Sequence, residues 1–574
     1  MHENYAVLWN EIARRAPERL AVRSPSQDYT YGELDTTAQR VADRLSDHGV
    51  GSGTRVAFFL HNTVEYLVAF YACLKLEAIP VSVNYRYLGS ELAELMRVSD
   101  PVALIYGSAY RGPVDDAMDR LVDGGGRPRV LFEVGDPEEG ARPGDDGDAR
   151  HAGVHETHFA DLARPDLARP ALAWPDGDRS PQAPSAPDRS GPERPAPERP
   201  DPEAELYIFT GGTTGTPKAV VWGIGDLLHI QQSSIYGPIG VPFPKEVEGA
   251  VRIAVDENRP PVRTLPLAPF IHATALFSAM NTLALGGTVL INPNPSLVPG
   301  DVARLIVREE VTRLIVAGDA VAIPLLDALE AELAGAESSL SSVISSGMRF
   351  SDDTKRRLHA LGQVTIVDIL ASTEGGPYAM ATTTRAEELP ARFRLTEDAV
   401  VLDADQREVQ DVPGSTGVLA YRGALPKGYL NDPEKSAEAY PVINGVRHCS
   451  PGDYVRVEEG GYIDLLGRGS SVVNTGGEKV FPGEVEEALL SHPAVADVVV
   501  FGVPDPRWGE AVAAVVEVEP GAEVTERDLL DHVAGRLAGF KKPRTLVLRH
   551  SLDRGPTGKL NMAQLKSSLG ARAS

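Results

Sequence analysis

The residues from Leu206 to Trp222, LYIFTGGTTGTPKAVVW, carry the densest chemistry in the chain. Leu206–Thr210 is apolar, β-branched and aromatic, the composition of a buried strand. Gly211, Gly212, Thr213, Thr214, Gly215, Thr216, Pro217 and Lys218 follow with little bulk, and Ala219–Trp222 reads as a second strand. Glycine lets backbone turn tightly and approach a ligand closely. Threonine hydroxyls, exposed N–H groups and a lysine suit phosphate oxygens. On chemical grounds this is a phosphate-handling loop, with a turn-rich surface hairpin as the alternative. It is not a Walker A loop, which needs Gly-Lys-Ser/Thr running into a helix. Here Pro217 precedes the lysine and a strand follows it.

Further residues with chemical potential come later. Val364–Gly376, VTIVDILASTEGG, is a strand running into a polar turn at its carboxyl end, where ligands sit in open α/β sheets. Thr373 can donate to phosphate and Glu374 can hold Mg²⁺ through hard oxygen ligands; a structural strand end is the alternative. Asp453 and Arg468 offer a carboxylate and a guanidinium, the acceptor and donor that two ribose hydroxyls require. Gly476 and Gly477 permit a narrow ligand to approach, with Lys479 beside them. Lys559 lies on a Gly/Pro-rich turn, DRGPTGKL, that can be carried into another domain's cleft; a solvated surface lysine is the bland reading.

In this order the motifs resemble those of the adenylate-forming enzymes: acyl-CoA synthetases, peptide-synthetase adenylation domains and luciferases. The resemblance covers nearly the whole chain. It implies that Thr210, Gly211, Gly212, Thr213, Thr214, Gly215 and Lys218 handle the ATP phosphates. Ser345-Ser346-Gly347-Met348-Arg349 is similar to the turn that holds adenine, which brings in Ser346, Gly347 and Met348. The strand end resembles the family's nucleotide-binding turn, so Asp368, Leu370, Ala371, Ser372 and Thr373 are assigned to the nucleotide, and Glu374 with Thr213 to the metal. Leu370-Ala371 stands where the family has Tyr-Gly, so an aromatic stack on adenine is lost there. The ribose role of Asp453 and Arg468 follows from the same likeness. Gly476, Gly477, Glu478 and Lys479 resemble the segment that meets coenzyme A. Lys559, in its Pro-Thr-Gly-Lys turn, is similar to the family's adenylation lysine. Ser470 occupies the hinge position, where the family usually has an acidic residue.

The acyl pocket is expected to draw on Trp222, Phe270, His272, Ala273 and Gly375. Phe270 and His272 belong to Leu265–Ala275, LPLAPFIHATA, which resembles the family's segment beside the acyl group. Ile271 stands where amino-acid-activating members carry an aspartate, which argues against an amino acid substrate. The small residues (Ala273, Ala275, Gly375, Gly376) should leave volume, and Trp222, Phe270 and Leu276 should make it apolar. Gly318–Ala322, Gly467–Ser471 and Asn474–Pro482 look most like synthetases of sterol side-chain and related bulky acids.

These residues need scaffolding. At 574 residues the chain exceeds one core and should form two or more domains. Residues 3–16 place Leu8, Trp9, Ile12 and Ala13 on one helical face. Thr30-Tyr31-Gly32-Glu33 is a capping box opening a helix that stops at His48-Gly49. Strands at Val56–Leu60, Pro80–Val83 and Val102–Tyr106 alternate with helices at Thr63–Glu77 and Ser90–Val98, which predicts parallel sheet covered by helices. Ala273–Ile291 suits a buried helix followed by a strand. After residue 468, a helix from Val485, strands at Val498–Val503, Val512–Val518 and Thr545–Leu548, and a helix capped at Thr525 make a small α+β domain. The fold expectation is therefore α/β. A large N-terminal domain of mixed sheets with packed helices spans 1–468, and a small mobile C-terminal lid spans 469–574. Between Asp176 and Glu203 there is no Ile, Leu, Val, Met or aromatic residue, so 176–203 should be a disordered or extended insertion. A passive loop is preferred there over a proline-recognition segment.

A formal charge of −25 argues against nucleic-acid or anionic-membrane partners. Two cysteines, Cys73 and Cys449, allow no disulfide framework. The N-terminus lacks the basic start and apolar core of a signal peptide, and a cytoplasmic enzyme without stable membrane insertion is expected, with a homodimer left open. The sequence therefore reads as an ATP-dependent, AMP-forming acyl-CoA synthetase that uses Mg²⁺ and coenzyme A and activates a bulky hydrophobic acid. The rivals are an adenylating enzyme that loads a carrier protein and a non-catalytic acyl- or nucleotide-binding protein of the same fold.

Overall fold

The computed structural model describes residues 1–25, 27–121, 125–135, 154–163, 199–210, 218–292, 294–468, 472–475, 478–505, 509–537, 539–554, 560, 562 and 565. The chain forms two compact units. The first comprises Met1–Leu297, Val311–Ile315 and Pro426–Pro433; the second comprises Val298–Glu310, Val316–Leu425 and Glu434–Ser574.

In the first unit, an eight-stranded sheet runs in the order Gly428–Tyr429, Lys218–Gly223, Glu205–Thr210, Ile79–Ser82, Arg55–Phe59, Ala103–Gly107, Val130–Val134, His155–His158. The six strands from Glu205–Thr210 outward are parallel. Their near-continuous apolar character has the cause expected of parallel sheet: helices cover both faces, so alternation disappears. Ile79–Ser82, Ala103–Gly107 and Val130–Val134 are buried along their whole length.

The covering helices begin where the sequence places them. Thr30 Oγ1 accepts from the Glu33 amide at 3.2 Å, and Glu33 Oε2 accepts from the Thr30 amide at 2.8 Å, which opens the helix Tyr31–Asp47. Thr63 caps Val64–Lys75, a helix buried on all sides. Its one charged buried end, Lys75, is neutralised by Asp35 at 2.7 Å. A second sheet in this unit pairs Arg263–Pro266 in parallel with Thr288–Leu290 and with Arg313–Val316. Ala273–Ala284 is the buried helix before Thr288–Leu290, as its hydropathy requires.

The proline-rich stretch behaves differently at its end than 176–203 as a whole was expected to. Residues 199–203 are held on the first unit. Arg199 pairs with Glu3, the Asp201 amide donates to Glu77 Oε1 at 3.0 Å, and Asn4 Nδ2 donates to the Asp201 carbonyl at 3.0 Å. The Gly225 amide donates to the Pro202 carbonyl at 2.8 Å. Residues 176–198 lie outside the described residues.

In the second unit, Ser342–Ser346 and Thr365–Ser372 are parallel. Thr365–Ser372 then turns back as Gly375–Thr383, and the sheet continues antiparallel through Phe393–Leu395, Tyr462–Arg468, Asp453–Val457, Thr416–Tyr421 and Ala399–Leu402. Beyond it, Val473–Thr475, Glu478–Val480, Val495–Asp505, Gly509–Val518 and Thr545–Arg549 form a five-stranded sheet. Helices Pro482–Leu490 and Glu526–Ala534 pack on that sheet. Val485, Leu489, Val498, Val500, Val512, Leu529, Val533 and Leu546 give this small α+β domain its own core. Among the described residues no helix is long and apolar enough to cross a membrane.

Candidate active site

In the first unit, the glycine- and threonine-rich loop is bracketed by an antiparallel pair. Thr210 and Lys218 are register partners, so the chain leaves the sheet at Thr210 and re-enters directly opposite. Gly211, Gly212, Thr213, Thr214 and Gly215 lie between them, outside the described residues. Thr210 stands at the carboxyl end of a parallel strand, the edge where α/β sheets take ligands. The Lys218 ammonium lies 5.0 Å from the centroid of the Tyr429 ring, and no carboxylate pairs with it among the described residues. An aromatic face holds a cation without cancelling its charge, which leaves Lys218 suited to an incoming anion. Tyr429 is brought there by the pairing of Gly428–Tyr429 with Val220 and Val221.

Leu265–Ala275 is shaped by a residue the sequence did not single out. Asn62 Nδ2 donates to the Ala268 carbonyl at 3.0 Å and its Oδ1 accepts from the Phe270 amide at 2.7 Å. This clamp turns Phe270 inward, 1 % exposed, with its ring 5.3 Å from that of Tyr66. Trp222 is likewise interior. Both aromatics are core residues in this structure. His272 is exposed and Ala273 half-buried at the start of the helix Ala273–Ala284.

In the second unit, Ser346, Gly347 and Met348 leave the strand Ser342–Ser346 in a turn with Gly347 at φ 83°. Gly318 braces this turn: its amide donates to Ser345 Oγ at 3.0 Å, and a Cβ there would overlap the Arg349 carbonyl oxygen. The Asp319 amide donates to that carbonyl at 2.9 Å, and Asp319 Oδ1 accepts from the Ser351 amide at 3.0 Å. Gly318 and Asp319 are thus mechanical supports of the turn.

Leu370, Ala371, Ser372, Thr373 and Glu374 sit at the carboxyl end of Thr365–Ser372. Ser372 pairs with Gly375, so Thr373 and Glu374 form the two-residue tip of a hairpin, half-buried. Asp368 lies earlier on the same strand. Its carboxylate meets Lys355 Nζ at 2.9 Å, both groups are buried, and burial raises the carboxyl pKa while Lys355 opposes the rise. Asp368 therefore ties the strand to the helix Asp352–Ala360. Gly375 adds no free volume to a pocket. A Cβ on it would stand 3.0 Å from Cys449 Cβ and 3.1 Å from its sulfur, so its smallness serves the packing of Cys449. Ala275 is fully buried in its helix, and Gly376 faces the Tyr378 ring. Of the small residues expected to open volume, only Ala273 is half-exposed.

Asp453 and Arg468 are register partners at the open end of the hairpin formed by Asp453–Val457 and Tyr462–Arg468. In the small domain, Thr475 pairs with Glu478 and Asn474 with Lys479. Gly476, Gly477, Ser470 and Lys559 lie outside the described residues.

The chain is similar to known proteins over nearly its whole length. Residues 9–430 match the family model described as AMP-binding enzyme, and residues 484–559 match that of the AMP-binding enzyme C-terminal domain. The chain is 36 % identical to the medium/long-chain-fatty-acid–CoA/3-oxocholest-4-en-26-oate–CoA ligase of Mycolicibacterium smegmatis, over 97 % of this chain and 94 % of the other. It is 34 % identical to the 3-oxocholest-4-en-26-oate–CoA ligase of Rhodococcus rhodochrous, over 99 % and 96 %. Its fold matches that of the Mycobacterium tuberculosis fatty acyl CoA synthetase with a TM-score of 0.69, at 24 % identity and 99 % coverage of both chains.

Proposed function

Because the chain belongs to the AMP-binding enzyme family, we propose that it is an ATP-dependent acyl-CoA synthetase that joins a bulky, apolar carboxylic acid to coenzyme A. In the first half-reaction a carboxylate oxygen attacks the α-phosphorus of ATP, the bond to the β-phosphate breaks, and pyrophosphate leaves. In the second, the thiol sulfur of coenzyme A attacks the acyl carbonyl, AMP leaves, and the thiol proton passes to solvent.

Charge grows on the phosphoryl oxygens in the first step, so positioned cations do most of the work. Lys218 and the loop from Thr210 to Gly215 bind the phosphates, and Lys559 supplies the second cation. Thr373 donates to phosphate. Ser346, Gly347 and Met348 hold adenine, while Asp453 accepts from and Arg468 donates to the ribose hydroxyls. Gly476, Gly477, Glu478 and Lys479 receive the pantetheine arm. Residues 469–574 act as the lid, with Ser470 as its hinge.

The residues present fit magnesium as part of the ATP complex. Among the described residues no group of three or more His, Cys, Asp or Glu could hold a metal by itself. Mg²⁺ is commonly held by one or two carboxylates together with substrate phosphates and water. Glu374, at its hairpin tip, is the carboxylate for that role, with Thr213 assigned to the same ion; the ion would neutralise phosphate charge. ATP and coenzyme A are cytoplasmic pools, which supports a cytoplasmic enzyme.

The observation that carries the substrate class is the full-length similarity to ligases named for fatty acids and for 3-oxocholest-4-en-26-oate. Each buried CH₂ of a ligand contributes about 0.8 kcal/mol, so a bulky acid should outcompete a small one by several such increments. Acetate, benzoate, a medium-chain fatty acid and a sterol side-chain acid compared by kcat/KM for thioester formation test this. A win for acetate or benzoate overturns the bulky-acid reading and leaves the ligase reading standing. Adenylate that accumulates with every acid and is never passed to coenzyme A points to a carrier-protein acceptor.

A further inference from the structure

We propose that Tyr378 is a positioning residue that couples the Thr373–Glu374 tip to the segment carrying Asp453, through a buried hydrogen-bonded chain running Ser372, Tyr378, Cys449. The inference rests on the reading of that tip as the phosphate and magnesium contact. It concerns residues outside the set expected to touch ligand, apart from Ser372.

Tyr378 lies on the return strand Gly375–Thr383 and is 1 % exposed. Its hydroxyl is 3.1 Å from Ser372 Oγ on one side and 3.1 Å from Cys449 Sγ on the other. Ser372 immediately precedes the tip and is the residue that closes it against Gly375. Cys449 exchanges both backbone hydrogen bonds with Tyr421, at 2.8 and 2.9 Å, and leads through Ser450-Pro451-Gly452 to Asp453. One hydroxyl therefore joins two segments 77 residues apart (449 − 372).

Several features leave this joint little slack. Gly375 packs closely on Cys449, and a Cβ on it would press against Cys449 Cβ at 3.0 Å. The Tyr378 ring meets Tyr421 edge-on, with centroids 6.0 Å apart. Thr396 fixes the backbone beside it: its hydroxyl donates to the Pro377 carbonyl at 2.6 Å, and its amide donates to the Tyr378 carbonyl at 3.0 Å. Burial pushes the Cys449 thiol up to about 12, so it stays protonated as a weak S–H donor. The Glu374 charge adds to the rise at both Tyr378 and Cys449, which places that carboxylate within electrostatic reach of the joint. A phenylalanine would fill the ring's space without burying a hydroxyl, and burying one has a desolvation cost. What the hydroxyl adds is a fixed separation between the tip and the Cys449 segment.

Tyr378→Phe keeps the ring and removes both hydrogen bonds. The Kd of a non-hydrolysable ATP analogue, measured calorimetrically across a magnesium series, should weaken about three- to tenfold, with the magnesium midpoint moving upward. The Kd for coenzyme A should stay within about twofold of the parent, since no hydrogen bond to that ligand is removed. Cys449→Ala and Ser372→Ala should each give a smaller loss, non-additive with Tyr378→Phe, and they decide the matter if Tyr378→Phe does not fold. An unchanged nucleotide Kd and magnesium midpoint, or equal losses for nucleotide and coenzyme A, overturn the inference. Glu374→Gln in the same titration separates the two levels. If it shifts the magnesium midpoint while the three joint variants do not, only the coupling is wrong. If it too leaves the midpoint unmoved, the reading of the tip falls and the coupling with it.

Discussion

Asp453 and Arg468 stand opposite each other as the outermost register pair of one antiparallel hairpin. Cross-strand partners hold their Cα atoms about 4.5–5.5 Å apart, so the two residues proposed for the ribose are backbone neighbours although fifteen positions separate them (468 − 453). A carboxylate that accepts from a hydroxyl contributes about 1.5–3 kcal/mol. Asp453→Ala should therefore lower kcat/KM for ATP by about ten- to a hundredfold. The parent should discriminate against 2′- or 3′-deoxy-ATP, and the variant should nearly lose that preference. Equal losses with ATP and both deoxy analogues would remove Asp453 from the ribose.

Lys559 is assigned to the first half-reaction alone. Removing one preorganised donor to a developing oxyanion typically costs about 10²–10³ in rate. Lys559→Ala should slow pyrophosphate release by about that factor, while thioester formation from a supplied acyl-adenylate largely survives. Equal damage to both half-reactions contradicts the assignment.

What was legible in the sequence is what local pattern encodes. The paired strands on either side of residues 211–217, the capping box at Thr30, the helix cap at Thr525, and the parallel strands read from apolar runs all appear where periodicity and turn chemistry put them. The supports of the site were not legible, because each joins residues remote in sequence. Asn62 clamps residues 268–270, Lys355 pairs with Asp368 from another element, and Gly318 yields to the carbonyl of Arg349. Apolar character also does not say which way a side chain points. Phe270 and Trp222, expected at a pocket wall, are both buried, and the sequence does not say on which side each packs.

Gly318 provides a sharp test of those supports. Its φ of 57° and the Arg349 carbonyl beside it exclude a Cβ without movement of the turn proposed to hold adenine. Gly318→Ala should weaken ATP-analogue binding about tenfold and lower the melting temperature by a few degrees, the cost expected of strain at a left-handed position. Unchanged binding in a folded variant would detach this turn from the nucleotide.

The proline-rich stretch divides into two parts of different mechanical value. Residues 176–198 offer no apolar side chain larger than alanine or proline, whereas 199–203 are tied to Glu3, Asn4, Glu77 and Gly225. Replacing 176–198 with a short Gly/Ser linker should leave melting temperature and activity nearly unchanged. Extending the deletion through residue 203 should lower the melting temperature. A collapse of activity from the shorter deletion alone would give the stretch a role in the catalytic cycle.

Stability should fall in mild acid through a histidine pair remote from the proposed chemistry. The His48 ring lies 5.0 Å from that of His155, nearly parallel, and meets Phe132 edge-on at 5.4 Å. Burial first, then His155 and Arg44, lower the His48 pKa from 6.5 to about 4, and burial lowers that of His155. A group whose folded pKa lies below its unfolded value binds more protons when unfolded in the interval between them. The stability it supports is full above about pH 6.5 and is lost as pH falls toward 4. Carboxylate pairs weaken over part of that range too, so the informative quantity is the difference between parent and variant. His48→Asn cannot take up the proton. Its unfolding free energy should fall less steeply than the parent's between pH 6.5 and 4, by an amount on the order of 1 kcal/mol after allowance for solvent screening. Parallel pH profiles for the two proteins would mean that the stacked pair opens to solvent before it is protonated.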